Sequence, residues 1–240
     1  MNNNQEFLNI FNDIEKRLRK DIGASNGVNF YRLLQDNARK NKLVKQYRNE
    51  LETMGDLRNI IAHGNIKSPF AVATEGTIER ISFIRKQLIN PTKICDIFSK
   101  EVTGVKQDES LGNVLSIVNK HKYSQFPVIN EEGFSGLITE NGITNWLARN
   151  VKEDIISIRE TTVEDVIEDE EENESYGILY SQDTLYDVLE KFEEEDHTGA
   201  RTFIIVVLNS PKNKVMLEDI YTIITPWDLD RIYGELGLEV

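Results

Sequence analysis

Residues 108–115 read Asp-Glu-Ser-Leu-Gly-Asn-Val-Leu, and residues 182–189 read Gln-Asp-Thr-Leu-Tyr-Asp-Val-Leu. In each stretch a hydroxyl residue, Ser110 or Thr184, directly precedes apolar residues spaced at three and four positions. A Ser or Thr in that place accepts a hydrogen bond from the free amides of a first helical turn. Two helices that begin in the same way indicate an internal duplication.

The similarity continues on the C-terminal side of both stretches. Residues 121–129 align with 197–205, and each segment leads into a β-rich run. The copies close with Gly-Leu-Ile-Thr at 136–139 and Tyr-Thr-Ile-Ile-Thr at 221–225, each followed by a helical pattern. The simplest account is a duplicated β-α-β-β-α unit.

The two copies lie in a C-terminal domain that we predict to span residues 91–240. Copy one covers about 91–150 and copy two about 158–232. Copy two is longer between its last strands, where residues 209–214 contain Asn, Ser and Pro and predict a hairpin turn.

Residues 1–90 have the pattern of a helical domain. Apolar residues recur at three- and four-residue steps from Phe7 to Leu18 and again from Phe30 to Ile61. Thr74 is a candidate cap for a further helix, which ends before Pro91 because the residue that precedes a proline is pushed out of helical geometry. The predicted fold class is therefore α+β, an N-terminal all-α bundle followed by an α/β pair of repeats.

Composition excludes several classes of protein. The 240 residues contain one cysteine, Cys95, which rules out an internal disulfide framework and a cysteine-based zinc cage. No run approaches the ~20 apolar residues of a spanning helix, and the first residues lack a secretory signal, so we expect a cytoplasmic protein without membrane contact.

The net charge of -13 argues against nucleic-acid binding by the whole chain. It is unevenly distributed: residues 1–90 carry a net charge of +5 and residues 91–240 a net charge of -18. Such asymmetry suggests two domains with different partners, although for any single charge run a solvated helix face is the better explanation.

The most informative segment of the helical domain is residues 56–64, Asp-Leu-Arg-Asn-Ile-Ile-Ala-His-Gly. His63 lies four residues after Asn59, on the same helix face, and in the last turn, where the helix dipole raises the proton affinity of an imidazole. Arg58 is a permanent cation that suits a phosphate. A phosphate-directed cation beside a histidine is what transesterification by an RNA 2′-hydroxyl requires.

This segment resembles the Arg-x4-His motif of HEPN domains, including the polar residue after the arginine. The resemblance implies a helical domain that dimerises through the motif helix and acts as a metal-independent endoribonuclease, with Arg58, Asn59 and His63 as catalytic residues. Because one chain offers one such histidine, two-histidine chemistry needs a symmetric homodimer. In the alternative interpretation Arg58 and His63 only support the dimer or a docking surface.

The repeat resembles the CBS domain, which occurs as tandem pairs with two clefts. The residues that carry this resemblance are Pro91, the Ser110-Leu111 helix start, the Phe-Pro-Val-Ile run at 126–129 and the closing Gly-x-x-Thr at 136–139. The resemblance implies a regulatory adenine nucleotide, namely AMP, ADP, ATP or S-adenosylmethionine. No cofactor is expected for catalysis.

The resemblance places the nucleotide mainly in copy two. Thr225 and Asp228 match the family's Ser/Thr-x-x-Asp, with the carboxylate toward the ribose and the threonine toward phosphate, and Arg201 matches a phosphate-contacting arginine. Thr139 is the copy-one counterpart of Thr225, but Gly142 occupies the aspartate position there. The first cleft is therefore expected to be degenerate or empty.

The combined hypothesis is a homodimer whose CBS pair binds an adenine nucleotide and regulates a HEPN-like ribonuclease. RNA is the expected macromolecular substrate, and DNA is not expected to bind. The alternative is a non-enzymatic regulatory or scaffold module in which the helical domain only dimerises or docks a partner.

Overall fold

The structure is a computed structural model. It describes residues 2–63, 70–99, 101–151, 157–168, 176–196 and 203–238. The chain divides into two compact units, unit 1 at Met1–Thr92 and unit 2 at Lys93–Val240. The predicted α+β fold class is confirmed, since unit 1 is helical and unit 2 combines helices with two small sheets.

The described part of unit 1 consists of helices, as its apolar spacing predicts. Phe7, Ile10, Phe11, Ile14 and Leu18 are all buried on one face of the first helix. The bounds are α1 Asn3–Asp21, α2 Phe30–Ala38, α3 Lys42–Gln46, α4 Arg48–His63 and α5 Glu75–Ile89.

Polar side chains determine where these helices begin and how two of them meet. Thr74 caps α5 by accepting from Thr77 N at 3.2 Å, as predicted. Asn37 is buried, and its Nδ2 donates to the carbonyls of Leu18 and Leu33 at 2.9 and 2.8 Å. This amide ties α2 to α1. Between α4 and α5, residues 70–73 are non-helical, and residues 64–69 lie outside the described residues.

Unit 2 contains the predicted duplication. In each copy two parallel strands are followed by an antiparallel one, in the sheet orders β1-β2-β3 and β4-β5-β6. The strands are β1 Val105–Lys106, β2 Gln125–Asn130, β3 Gly133–Thr139, β4 Tyr176–Tyr180, β5 Ile204–Leu208 and β6 Ile220–Ile224. The helices are α6 Ile94–Ile97, α7 Leu111–His121, α8 Glu140–Asn150, α9 Val163–Glu168, α10 Leu185–Asp196 and α11 Leu229–Leu236.

The first residues of each copy bond to the other copy. Lys93, at the start of copy one, forms an antiparallel bridge with Thr184 of copy two. Thr162, near the start of copy two, forms the matching bridge with Ser110 of copy one, and Val163 is buried in the core of copy one. The two bridges use the same Ser110 and Thr184 that mark the helix starts in the sequence. The repeats are thus interlocked.

The connection between β5 and β6 differs from the predicted turn at 209–214. The strands do pair antiparallel, but the chain adds a 3-10 turn at Leu217–Asp219 before β6 begins. The Asp219 carboxylate is buried, accepts from Met216 N at 3.0 Å and receives Lys212 Nζ. These bonds satisfy polar groups of the loop. With the added turn, the connection is longer than a hairpin.

Candidate functional site

The polar residues of the motif helix α4 are joined to α2 by a chain of hydrogen bonds. Arg58 Nη1 donates to Asn59 Oδ1 at 3.2 Å, and Asn59 Nδ2 donates to Tyr31 Oη at 3.4 Å. The Tyr31 hydroxyl in turn donates to Asp56 Oδ1 at 2.7 Å. Arg58 and Asn59 are half-buried, and Asp56 and Tyr31 are exposed. The network therefore holds the predicted Arg58 and Asn59 at the surface.

Tyr31 is a residue that the sequence reasoning missed. Its pKa is raised above the ordinary value of 10.0, first because its hydroxyl donates to Asp56 and then because of partial desolvation and the negative charges nearby. No spacing rule connects Tyr31 with Asp56, since the two residues lie on different helices, 25 positions apart.

The close approach of α2 and α4 depends on Gly55. A Cβ atom at this position would lie 3.1 Å from two ring carbons of Phe30 and 3.4 Å from Tyr31 Oη. The Phe30 ring already packs against Phe11, with centroids 4.6 Å apart, so it has little space to retreat. The absence of a side chain at 55 thus brings the Tyr31 hydroxyl to Asp56.

The third predicted catalytic residue, His63, is the last residue of α4, one turn after Asn59. Its side chain lies outside what the structure describes, as does Gly64. The helix itself therefore carries Arg58, Asn59 and His63 in one continuous run. The roles assigned to them stay predictions.

The positive charge of unit 1 is partly neutralised on the helix surfaces. Arg17, Arg19 and Arg48 each pair with a carboxylate four residues away, at N–O distances of 2.8, 2.6 and 2.9 Å. Pairs of this kind contribute little to stability, but they reduce the field that a polyanion meets. The net charge of +5 already counts these carboxylates, so the pairs show where the acidic groups lie and leave that net charge unchanged.

The structure brings Thr225 and Asp228 together at the junction of β6 and α11. Asp228 Oδ2 accepts from Thr225 N at 3.0 Å and from Thr225 Oγ1 at 3.1 Å, while Asp228 N donates to the Thr225 carbonyl at 2.9 Å. A carboxylate offers about four acceptor positions, and both bonds from Thr225 go to one of its two oxygens, Oδ2. Trp227, between them, is 92% exposed.

The same threonine–aspartate pair occurs at two other helix starts. Asp165 Oδ2 accepts from Thr162 N and Oγ1 at 2.8 and 2.9 Å, and Asp187 Oδ2 accepts from Thr184 N and Oγ1 at 2.8 and 2.7 Å. The bonds of the Asp228 carboxylate to Thr225 therefore have a structural role, which is to close the turn that begins at Thr225. What distinguishes Asp228 is its position directly after a strand, where the sequence motif places it.

Copy one has a different junction between β3 and α8. Thr139 caps α8 by accepting from Gly142 N at 2.9 Å, and Gly142 is buried. Since glycine has no carboxylate, this junction lacks the acceptor that Asp228 supplies in copy two. Arg201, the predicted phosphate contact, lies outside the described residues.

Neither a metal site nor a membrane-spanning helix is found in the part of the chain that the structure describes. No group of three or more His, Cys, Asp or Glu side chains is placed to hold a metal ion there. No helix among these residues is long and apolar enough to cross a membrane.

Comparison with known families and structures concerns unit 2. A family model described as the CBS domain matches residues 94–149, which is copy one. No curated protein matches the chain.

Several solved structures are similar to part of this chain at low identity. The CBS domain pair of protein MJ0100, in complex with 5-methylthioadenosine and S-adenosyl-L-methionine, is 19% identical with a TM-score of 0.42, over 60% of this chain and 98% of that one. A putative acetoin utilization protein from Vibrio cholerae is 13% identical with a TM-score of 0.44, over 61% and 93%. The CBS domain of a membrane protein from Sphaerobacter thermophilus is 17% identical with a TM-score of 0.45, over 65% and 96%.

The family match and the internal symmetry complement each other. The matched model covers copy one, and copy two repeats its strand order. Unit 2 is accordingly a CBS-like α/β pair.

Proposed function

We propose that this protein is a homodimeric nucleotide sensor in which unit 2 binds an adenine nucleotide at the β6–α11 junction and regulates a HEPN-like, metal-independent endoribonuclease in unit 1. The observation that carries the ligand half is the Thr225–Asp228 pair at the end of β6, with Trp227 exposed beside it. The carboxylate would accept from ribose hydroxyls, and Trp227 offers an aromatic face to a base.

The catalytic half rests on α4 and its hydrogen-bonded surface. Arg58 would stabilise the negative charge of a phosphorane, and Asn59 would help to hold the phosphate. His63 from one chain would take the proton of the 2′-hydroxyl, whose oxygen forms a bond to phosphorus. The bond to the 5′-oxygen breaks, and His63 of the second chain would give that oxygen a proton.

A second copy of α4 would supply this acid and would also cover apolar surface. Ile60, directly after Asn59, is 49% exposed. An exposed apolar side chain on the motif helix fits a helix face that a second chain buries.

The test is incubation of the purified full chain with end-labelled RNA in the presence of a chelator. We expect products with 2′,3′-cyclic phosphate ends, lost in both His63→Ala and Arg58→Ala. Arg48→Ala, at the other end of α4, and His121→Ala in unit 2 are matched controls that should cleave normally. Intact RNA after incubation with the wild-type dimer, with and without AMP, ATP and S-adenosylmethionine, would overturn the ribonuclease half.

One observation favours the non-enzymatic alternative. Arg58 and Asn59 bond to each other and, through Tyr31, to Asp56, as residues with a purely structural task would. In that case Arg58→Ala lowers the free energy of unfolding or the dimer affinity, while RNA is not cleaved by any variant. Thermal unfolding and sedimentation of the same variants separate the two functions.

A further inference from the structure

The chain passes from unit 1 to unit 2 between two anchored residues. On the unit 1 side, the buried Gln87 donates from Nε2 to Thr92 Oγ1 at 2.9 Å and accepts from Thr92 N at 3.0 Å. On the unit 2 side, Lys93 N donates to Asp96 Oδ2 at 2.9 Å. Thr92 and Lys93 are neighbours in sequence, and each is hydrogen-bonded within its own unit.

The first residues of unit 2 are bound to copy two. We call Lys93–Phe98 the lead-in segment. Ile94 N donates to the Asp183 carbonyl at 2.9 Å, and Cys95 N donates to the Ser181 carbonyl at 3.0 Å. The segment is therefore held on the turn between β4 and α10, in the copy that carries Thr225 and Asp228.

Arg231 of helix α11 contacts the other end of the lead-in segment. Its Nη2 donates to the Ile97 carbonyl at 2.8 Å, and its guanidinium carbon lies 5.1 Å from the centroid of the Phe98 ring. Phe98 is buried, so the ring is a fixed platform for this cation. Arg231 follows Asp228 by three residues and lies in the first turn of α11.

We propose that Arg231 relays nucleotide occupancy at the β6–α11 junction to the lead-in segment, and thereby to α5 of unit 1; the proposal rests on the nucleotide site of the proposed function. A ligand that bonds to Asp228 acts on the Thr225–Asp228 turn, which leads directly into α11. The first turn of α11 carries Arg231, whose displacement moves the Ile97 carbonyl. The lead-in segment continues from Lys93 into Thr92, so the covalent chain connects this shift with the end of unit 1.

The chemistry of the contact favours arginine specifically. A planar guanidinium donates to a carbonyl in its own plane and stacks on a ring with its face, which an ammonium group does only in part. Arg231→Lys should therefore keep the charge and retain part of the relay, and Arg231→Gln should abolish it.

The experiment is hydrogen–deuterium exchange on the full chain, with AMP as the probe and ATP and S-adenosylmethionine as further arms. The reporters are the amides of Ile94, Cys95 and Phe98, which donate to Asp183, Ser181 and Ile94 carbonyls. In the wild type we expect AMP to change their exchange rates by about 5-fold or more. In Arg231→Gln this change should vanish while the affinity for AMP, measured by calorimetry, stays close to the wild-type value.

The outcomes are distinguishable. Arg231→Gln with an undiminished response at the three amides overturns the relay and leaves the nucleotide site intact. Loss of AMP affinity in Arg231→Gln also overturns the relay, since Arg231 would then belong to the ligand site. Failure of every probe to bind the wild type overturns the nucleotide half of the proposed function together with the relay. Arg159→Gln, an exposed arginine of the same unit, is the charge-matched control and should respond like the wild type.

Discussion

The Tyr31 hydroxyl donates a hydrogen bond of 2.7 Å to Asp56 Oδ1, which joins α2 to the motif helix α4 beside Arg58 and Asn59. The bond places a neutral donor against a carboxylate at the surface of unit 1. The pKa of Tyr31 is raised first because this hydrogen bond favours the protonated phenol, then by partial desolvation, and then by the negative charge that ionisation would place beside Asp56.

We predict that Asp56→Asn returns the pKa of Tyr31 toward its ordinary value, since an amide removes both the strong acceptor and the nearby charge. The measurement is an NMR titration of tyrosine-labelled protein, with Tyr31→Phe to assign the resonance. Because the folded pKa is raised, the stabilisation from this bond is complete below the unfolded pKa of about 10 and is lost as the pH rises through the folded value. An unchanged Tyr31 titration in Asp56→Asn would show that the hydrogen bond does not cause the shift.

Gly55→Ala should destabilise unit 1 even though alanine is the better helix former. The propensity gain is about 1 kcal/mol, whereas a methyl 3.1 Å from the confined Phe30 ring costs about 1–3 kcal/mol. We expect a net loss of about 1 kcal/mol in chemical denaturation. Gly76→Ala in α5 is the matched control, since its nearest neighbour is Thr74 Oγ1 at 4.0 Å, and it should stabilise by up to about 1 kcal/mol. Equal effects of the two substitutions would contradict the packing argument.

Asp228→Ala and Asp165→Ala should have the same effect on stability and different effects on ligand binding. Each substitution removes a carboxylate that accepts a hydrogen bond from the backbone N of the threonine three residues earlier. We expect this loss to cost about 1 kcal/mol in the free energy of unfolding. AMP binding by calorimetry should disappear only in Asp228→Ala. If Asp165→Ala abolishes binding equally, the loss reflects the fold and not a contact to the ribose.

Asp219 should contribute stability at neutral pH that disappears in acid. The pKa of this carboxyl is lowered, first by the hydrogen bond from Lys212 and then by the bond from Met216 N. A lowered folded pKa means that the stabilisation is present above the unfolded value of about 3.9 and is lost as the pH falls through the folded value. The melting temperature of Asp219→Asn should therefore depend less on pH in this range than that of the wild type, whereas Glu218→Gln, its exposed neighbour, should follow the wild type.

The chain's local patterns were sufficient for most of the architecture. Apolar spacing identified the buried face of α1, and Ser110, Thr184 and Thr74 identified three helix starts, because a cap bonds to amides only two or three residues away. The duplicated pattern of copy one and copy two predicted the β-α-β-β-α succession of elements in both copies. The Thr-x-x-Asp motif is not specific for a nucleotide site, since Thr162–Asp165 and Thr184–Asp187 form the same hydrogen bonds at other helix starts.

The sequence by itself thus determined the secondary structure, the duplication and the candidate residues Arg58, Asn59, Thr225 and Asp228, all of which depend on neighbours within a few positions. Only the tertiary structure decided that Tyr31 bonds to Asp56 and that Arg231 bonds to the Ile97 carbonyl, 134 positions away. The interlocking of the two copies through Lys93–Thr184 and Ser110–Thr162 is of the same kind. Such contacts form when side chains such as Val163 and Phe98 are buried in the folded protein. The spacing of apolar residues along the chain does not specify which distant group each of them will contact.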